Sequence, residues 1–228
     1  TIHLLPHWTW PERVGEVTPV YCYTDYPEAE LFVNGKSQGR IKKQVNQNKI
    51  TTSGRTNWNE TMSEEDGIRY AKETSILDRY RLRWNDVVYE PGEIKVICYD
   101  KYGAKAGEKI IKTAGKPKSL VLDGDEQLSL QNDGNLAYIT ISLTDKDGTL
   151  IPDASDNIEV KVKGAGSFKA LCNGDATSLE VFTQPRMKLF NGMLVLTVQS
   201  KGKPGIIEIS VKDKTRGISA KKNIIVSQ

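Results

Sequence analysis

Only two histidines occur in the 228 residues, His3 and His7, both within the first ten positions. A histidine that activates a nucleophile needs one within reach, and no Gly-x-Ser-x-Gly elbow is present. Their i, i+4 spacing would place both on one face of a helix, but Pro6 between them and Pro11 beyond favour extended chain. Asp145, Asp147, Asp153 and Asp156 surround an Asp-Lys-Asp-Gly turn that lacks the third ligand and the distal bidentate glutamate of a calcium loop, so an ordinary polar hairpin is expected. Glycoside cleavage requires two carboxylates held roughly 5 to 10 Å apart in a rigid cleft. Glu64, Glu65 and Asp66 are consecutive, in the most polar part of the chain, with nothing apolar beside them to raise a pKa. Cys22, Cys98 and Cys172 are too few and too widely spaced for a Cys-x-x-Cys knuckle or a disulfide scaffold. Cys22 in Val20-Tyr-Cys-Tyr and Cys98 in Val96-Ile-Cys-Tyr share a context that reads first as two small buried hydrophobes, with a bridge as the alternative. The expectation is no metal, no cofactor and no catalytic residue.

The aromatic residues carry a stronger signal. Trp8 and Trp10 are spaced i, i+2, which in extended chain puts both rings on one side, where they can seat one domain on another or stack on a sugar. With Pro6 and Pro11 stiffening the segment, a docking seam is the favoured reading, and both rings are expected to be more exposed here than in a longer parent chain. Trp84, within Arg81-Leu-Arg-Trp-Asn, reads as a core anchor. Trp58, alone in a polar stretch, is the remaining candidate for contacting something outside the chain.

The elements that would position these residues are strands. Ile and Val together number 35 against 11 Ala, and Gly plus Pro supply 28 punctuating residues. A net charge of +3 from evenly spread charges gives no basic stripe for phosphates, so nucleic acid is not an expected partner, and no apolar run approaches the ~20 residues of a membrane span. Strand pattern occupies residues 15–26 and 29–33, broken by the hairpin dipeptide Asn34-Gly35, and returns at 80–89, 93–99 and 109–113. Residues 42–78 are nearly devoid of apolar side chains and form a long polar loop, with one short helical turn allowed at Ser63 to Asp66. The connector Ala114-Gly-Lys-Pro117 follows, and the meander restarts: Ile139, Ile141, Leu143; Ile158, Val160, Val162; Leu194, Leu196, Val198; Ile207, Ile209, Val211; Ile224, Val226. The fold expected is all-β, two tandem immunoglobulin-like β-sandwich domains at residues 1–114 and 115–228. An alternating strand ends in Asp-Lys-x-Gly in each half, at Asp100 to Gly103 and at Asp145 to Gly148.

His3-Leu-Leu-Pro-His-Trp-Thr-Trp10, Gly15 to Val20, Ala29 to Gly39 and Tyr80-Arg-Leu-Arg-Trp-Asn-Asp-Val-Val-Tyr-Glu-Pro-Gly92 resemble the segment after the catalytic barrel in bacterial β-galactosidases of glycoside hydrolase family 2. Asp145 to Gly148, Asn173 to Ser178 and Phe190-Asn-Gly192 resemble the Ig-like domain that follows in the same enzymes. The resemblance implies a C-terminal accessory fragment of a periplasmic or secreted β-galactosidase-like parent, with that parent's catalytic barrel as partner. The barrel itself needs ~250 residues of alternating strand and helix, a pattern this chain lacks. A carbohydrate-binding module using Trp8, Trp10 or Trp58 and an adhesin-like Ig spacer are the rival readings. Carbohydrate and a second copy of the chain are the further partners they admit.

Overall fold

The computed structural model describes residues 1–43, 80–130 and 135–228, and these divide into two compact units, Thr1–Thr113 and Ala114–Gln228. The polar loop expected at residues 42–78, its helical turn and Trp58 therefore lie outside the described residues, apart from positions 42 and 43.

The first unit holds seven described strands: β1 Ile2–Leu5, β2 Val20–Thr24, β3 Glu28–Val33, β4 Lys36–Lys42, β5 Arg81–Trp84, β6 Glu93–Tyr99 and β7 Lys105–Lys112. They form two antiparallel sheets, ordered β1-β2-β5 and β4-β3-β6-β7. Register explains the core. Leu4, Cys22 and Leu82 stand in one cross-strand row of the first sheet, beside Val20 and Trp84. Ala29 with Cys98, Leu31 with Val96 and Val33 with Ile94 form matching rows in the second. All of these side chains are buried in a single cluster, so the two inner faces make a sandwich core. Asn34 and Gly35 both have positive φ, as a tight two-residue hairpin between β3 and β4 requires.

The long strand expected over residues 15–26 shortens to Val20–Thr24. Gly15 takes φ 83° and Pro19 offers no N–H, so residues 15–18 only bridge irregularly to Val87 and Tyr89. β7 begins four residues earlier than the apolar pattern suggests, because an edge strand rich in lysine buries little and shows no alternation.

The second unit holds nine strands among its described residues: β8 Ser119–Gly124, β9 Gln127–Ser129, β10 Leu136–Thr144, β11 Asn157–Gly164, β12 Gly166–Cys172, β13 Arg186–Lys188, β14 Met193–Ser200, β15 Gly205–Asp213 and β16 Ser219–Ser227. Their sheets run β12-β14-β10-β8 and β13-β11-β15-β16-β9, all antiparallel except β9 beside β16. The alternating residues read from the sequence on β10, β11, β14, β15 and β16 line the core, with Val162 at its margin. Each fully buried Ile, Leu or Val contributes ~1.5–3 kcal/mol. β8, β9, β12 and β13 lie at or near the sheet edges, and β12 carries a bulge between Phe168 and Ala170. None of the four shows a full apolar alternation.

Candidate functional site

The N-terminal tryptophan segment is held by the strand ends around it. β1 stops at the cis peptide Leu5-Pro6, and a 3-10 turn at Pro11–Arg13 follows. Between them Trp8 turns inward. Its ring is fully buried, meets Tyr89 edge to face with centroids 4.9 Å apart, and donates its Nε1 hydrogen to the Glu90 carbonyl at 2.9 Å. The Trp8 carbonyl accepts from the Thr113 hydroxyl, whose oxygen also accepts from the Gly92 amide at 2.9 Å. The Tyr89 hydroxyl, itself in the core, accepts the Trp10 amide at 3.1 Å.

Trp10 behaves differently. It packs half-buried at the margin of the core, stacked on His7 with centroids 4.0 Å apart and an interplanar angle of 21°, and its indole donates to the His7 carbonyl at 2.8 Å. The two rings are thus not a paired platform. The expectation that both stand exposed on one side is corrected for Trp8: the chain is not extended through residues 7–10, and a ring with no accessible face can stack on no sugar and dock no domain. The buried indole and phenol each reach a hydrogen-bond partner, which is what lets an aromatic with a polar end sit in a core. Trp84 is likewise a core residue, its Nε1 donating to the Gly39 carbonyl at 2.9 Å and so tying one sheet to the other. His3 lies on β1 opposite Tyr23, and the outward row of that sheet continues to Arg81, which lies over the Tyr21 ring at 4.9 Å.

The Asp-Lys-x-Gly turns resolve into one device used twice. Asp100 Oδ1 accepts the amides of Tyr102 and Ala104 at 2.8 and 2.9 Å; Asp145 Oδ1 accepts those of Asp147 and Thr149, both at 2.9 Å. Asp145 is buried, and its Oδ2 also accepts the Gly115 amide at 2.7 Å. Both oxygens of Asp145 are therefore spent on backbone. The Gly115 N–H, followed by those of Thr149 and Asp147, holds this carboxyl below the usual range. Among the described residues no group of three or more His, Cys, Asp or Glu is placed to hold a metal.

The second unit also carries an open depression of about 320 Å³ lined by Asp153, Asp156, Lys188, Thr215 and Arg216 among others. Asp156 is buried and paired with Arg216 Nε at 2.7 Å, so its charge is already answered within the protein. The sequence singled out Asp156 only as one of the acidic residues around the Asp-Lys-Asp-Gly turn, and nothing in it marked Arg216, 60 residues on by number, as its partner. No helix of the described residues is long and apolar enough to cross a membrane.

Residues 120–220 match the family model of the glycoside hydrolase family 2 C-terminal domain 5, and residues 15–107 match a domain of unknown function, DUF4982. The chain is 32% identical over 205 residues to the β-galactosidase BoGH2A of Bacteroides ovatus, a match that takes in 90% of this chain and 20% of that protein. Its fold resembles a β-glycosidase from Bacteroides vulgatus, at 26% identity and a TM-score of 0.76 over 99% of this chain and 24% of the other. A glycosyl hydrolase family 2 member from Bacteroides cellulosilyticus shares the fold with a TM-score of 0.78 at 23% identity, over 98% of this chain and 24% of the other. The chain thus spans a fifth or less of the length of the curated relatives it matches.

Proposed function

From the premise that this chain resembles the C-terminal region of family 2 glycoside hydrolases, we propose that it is a non-catalytic accessory region of a β-galactosidase-like parent, located in the periplasm or secreted. Its role is to support the parent's catalytic barrel and to supply a wall of the substrate site or an oligomer contact. The observation that carries this reading is the 205-residue match that accounts for most of this chain but only a fifth of a β-galactosidase.

A surface of the second unit supports it. In the outer face of β8, β10 and β14, Ser142 stands between Val121 and Met193, and Thr140 stands between Asp123 and Val195. Val121, Met193 and Val195 are all exposed, as is Tyr138 two positions along β10 from Thr140. This face, on which exposed apolar side chains alternate with Ser142, Thr140 and Asp123, is suited to coverage by the remainder of a longer polypeptide.

The test is to assay the purified chain against p-nitrophenyl β-galactoside and β-glucuronide, and separately to delete the corresponding region from a full-length relative. No turnover is expected from the chain, because catalysis needs two carboxylates fixed across a cleft. The deletion is expected to lower the parent's stability or alter its assembly. Turnover that disappears when one of this chain's own acidic residues is replaced overturns the accessory reading, as does a deleted parent that keeps its full activity, stability and oligomeric state.

A further inference from the structure

Cys22 on β2 and Cys98 on β6 belong to the two different sheets of the first unit, and both point inward with no accessible surface. The rows around them explain why they meet. Cys98 stands between Ala29 on β3 and Gly107 on β7, so its cross-strand neighbours are among the smallest side chains available. The side chain of Ile2 fills the space over Gly107, with its Cδ1 2.9 Å from where a Cβ would be, which brings the β1-β2-β5 sheet close at this point. Each thiol acts on the titration of the other, and Thr24 acts on that of Cys98. Lys43, whose ammonium donates to the Thr24 carbonyl, stands close enough to act on both sulfurs.

We propose that Cys22 and Cys98 are a cross-sheet oxidation site, closing to a disulfide by exchange with a low-molecular-weight disulfide such as oxidised glutathione. One of the two, as its thiolate, attacks one sulfur of the external disulfide and expels the other as a thiolate, forming a mixed disulfide. The second protein thiol then gives up its proton and attacks the sulfur of the first, expelling the second small thiol. Two protein thiols are oxidised and one external disulfide is reduced to two thiols. Because neither sulfur is accessible in the folded unit, exchange requires the sandwich to open, and oxidation during refolding is faster than oxidation of the native protein.

Two inward-facing thiols from the two sheets of one buried core cluster are what a bridge across a sandwich calls for, since a disulfide demands close approach of both side chains. The bridge would close a loop running from β2 to β6, a long one, and long loops constrain the unfolded chain most.

The experiment uses the full chain with the exposed third cysteine replaced, Cys172→Ser, refolded from denaturant in oxidised and reduced glutathione or in a phosphine reductant. After acid quenching and alkylation, peptide mass mapping is expected to find the Cys22 and Cys98 peptides linked within a monomer in the first condition and both alkylated in the second. The oxidised protein should melt on the order of 10 °C higher in the transition of the first unit. The double variant Cys98→Ser, Cys172→Ser should melt identically in both conditions. Alkylation of both thiols after refolding in oxidant, or a linked protein that melts no higher than the reduced one, overturns the proposal.

Discussion

The two units bury their cores by different means. In the second, every fully buried apolar side chain is aliphatic or Met187, and the strands that bring them together alternate in the sequence itself. In the first, Trp8, Trp84 and Tyr89 are buried with aliphatics and two cysteines, and each aromatic also carries a polar end that is satisfied by distant chain: Trp8 to Glu90, Trp84 to Gly39, Tyr89 to Trp10. A sandwich made of Ile, Leu and Val needs only matched faces, because dispersion and burial are not directional. One made with indoles and phenols also needs acceptors in the right places, which makes it less tolerant of change.

The largest expected effect tests that contrast directly. Trp8→Ala removes a fully buried ring and frees the Glu90 carbonyl, and should destabilise the first unit by about 3–5 kcal/mol. All four tryptophans lie in residues 1–113, so tryptophan fluorescence reports the first unit alone, and its unfolding midpoint should fall while the other calorimetric transition stays fixed. Trp10→Ala, at the half-buried margin, should cost roughly half as much. Equal costs for the two would mean that they form one platform after all.

Next in size, Asp145→Ala should cost the second unit about 2 kcal/mol, since it strands the amides of Gly115, Asp147 and Thr149. The same change at the half-buried Asp100, which serves two amides, should cost about 1 kcal/mol or less in the first. The acid limb sharpens this comparison. The Asp145 carboxyl is held below its ordinary value, so its contribution is complete at neutral pH, present above the unfolded value of about 4, and lost as pH falls through the folded one. The stability difference between wild type and Asp145→Ala, measured by urea unfolding of the second unit, should therefore shrink from about pH 4 downward. A constant difference would show that the ionised carboxylate is not what the turn uses.

At a similarly small scale, Ile209→Val in the aliphatic core should cost about 1 kcal/mol and leave tryptophan fluorescence unfolding unchanged. Movement of the fluorescence midpoint would show that the two units do not unfold independently.

What could be read in the amino-acid order was whatever repeats locally. Period-two alternation marked β10, β11, β14, β15 and β16 and the central β6, Asn34-Gly35 marked a hairpin, and the two Asp-Lys-x-Gly turns proved to share their hydrogen bonding. The strands with weak or truncated patterns, β7, β8, β9, β12 and β13, lie at or near sheet edges, where burying a few residues on one side suffices and alternation is not enforced. Tertiary structure alone decided which aromatics go inside. Trp8 and Trp10 look equivalent in sequence, two positions apart between prolines, yet Trp8 is chosen by an acceptor 82 residues away and a hydroxyl 105 residues away. That Cys22 and Cys98, from two different sheets, share one core is likewise set by chain far apart in sequence. Local pattern fixes which face of a strand is apolar, because the pleat has a fixed period. It does not fix what stands opposite once two sheets close, because that pairing is made by chain far apart in sequence.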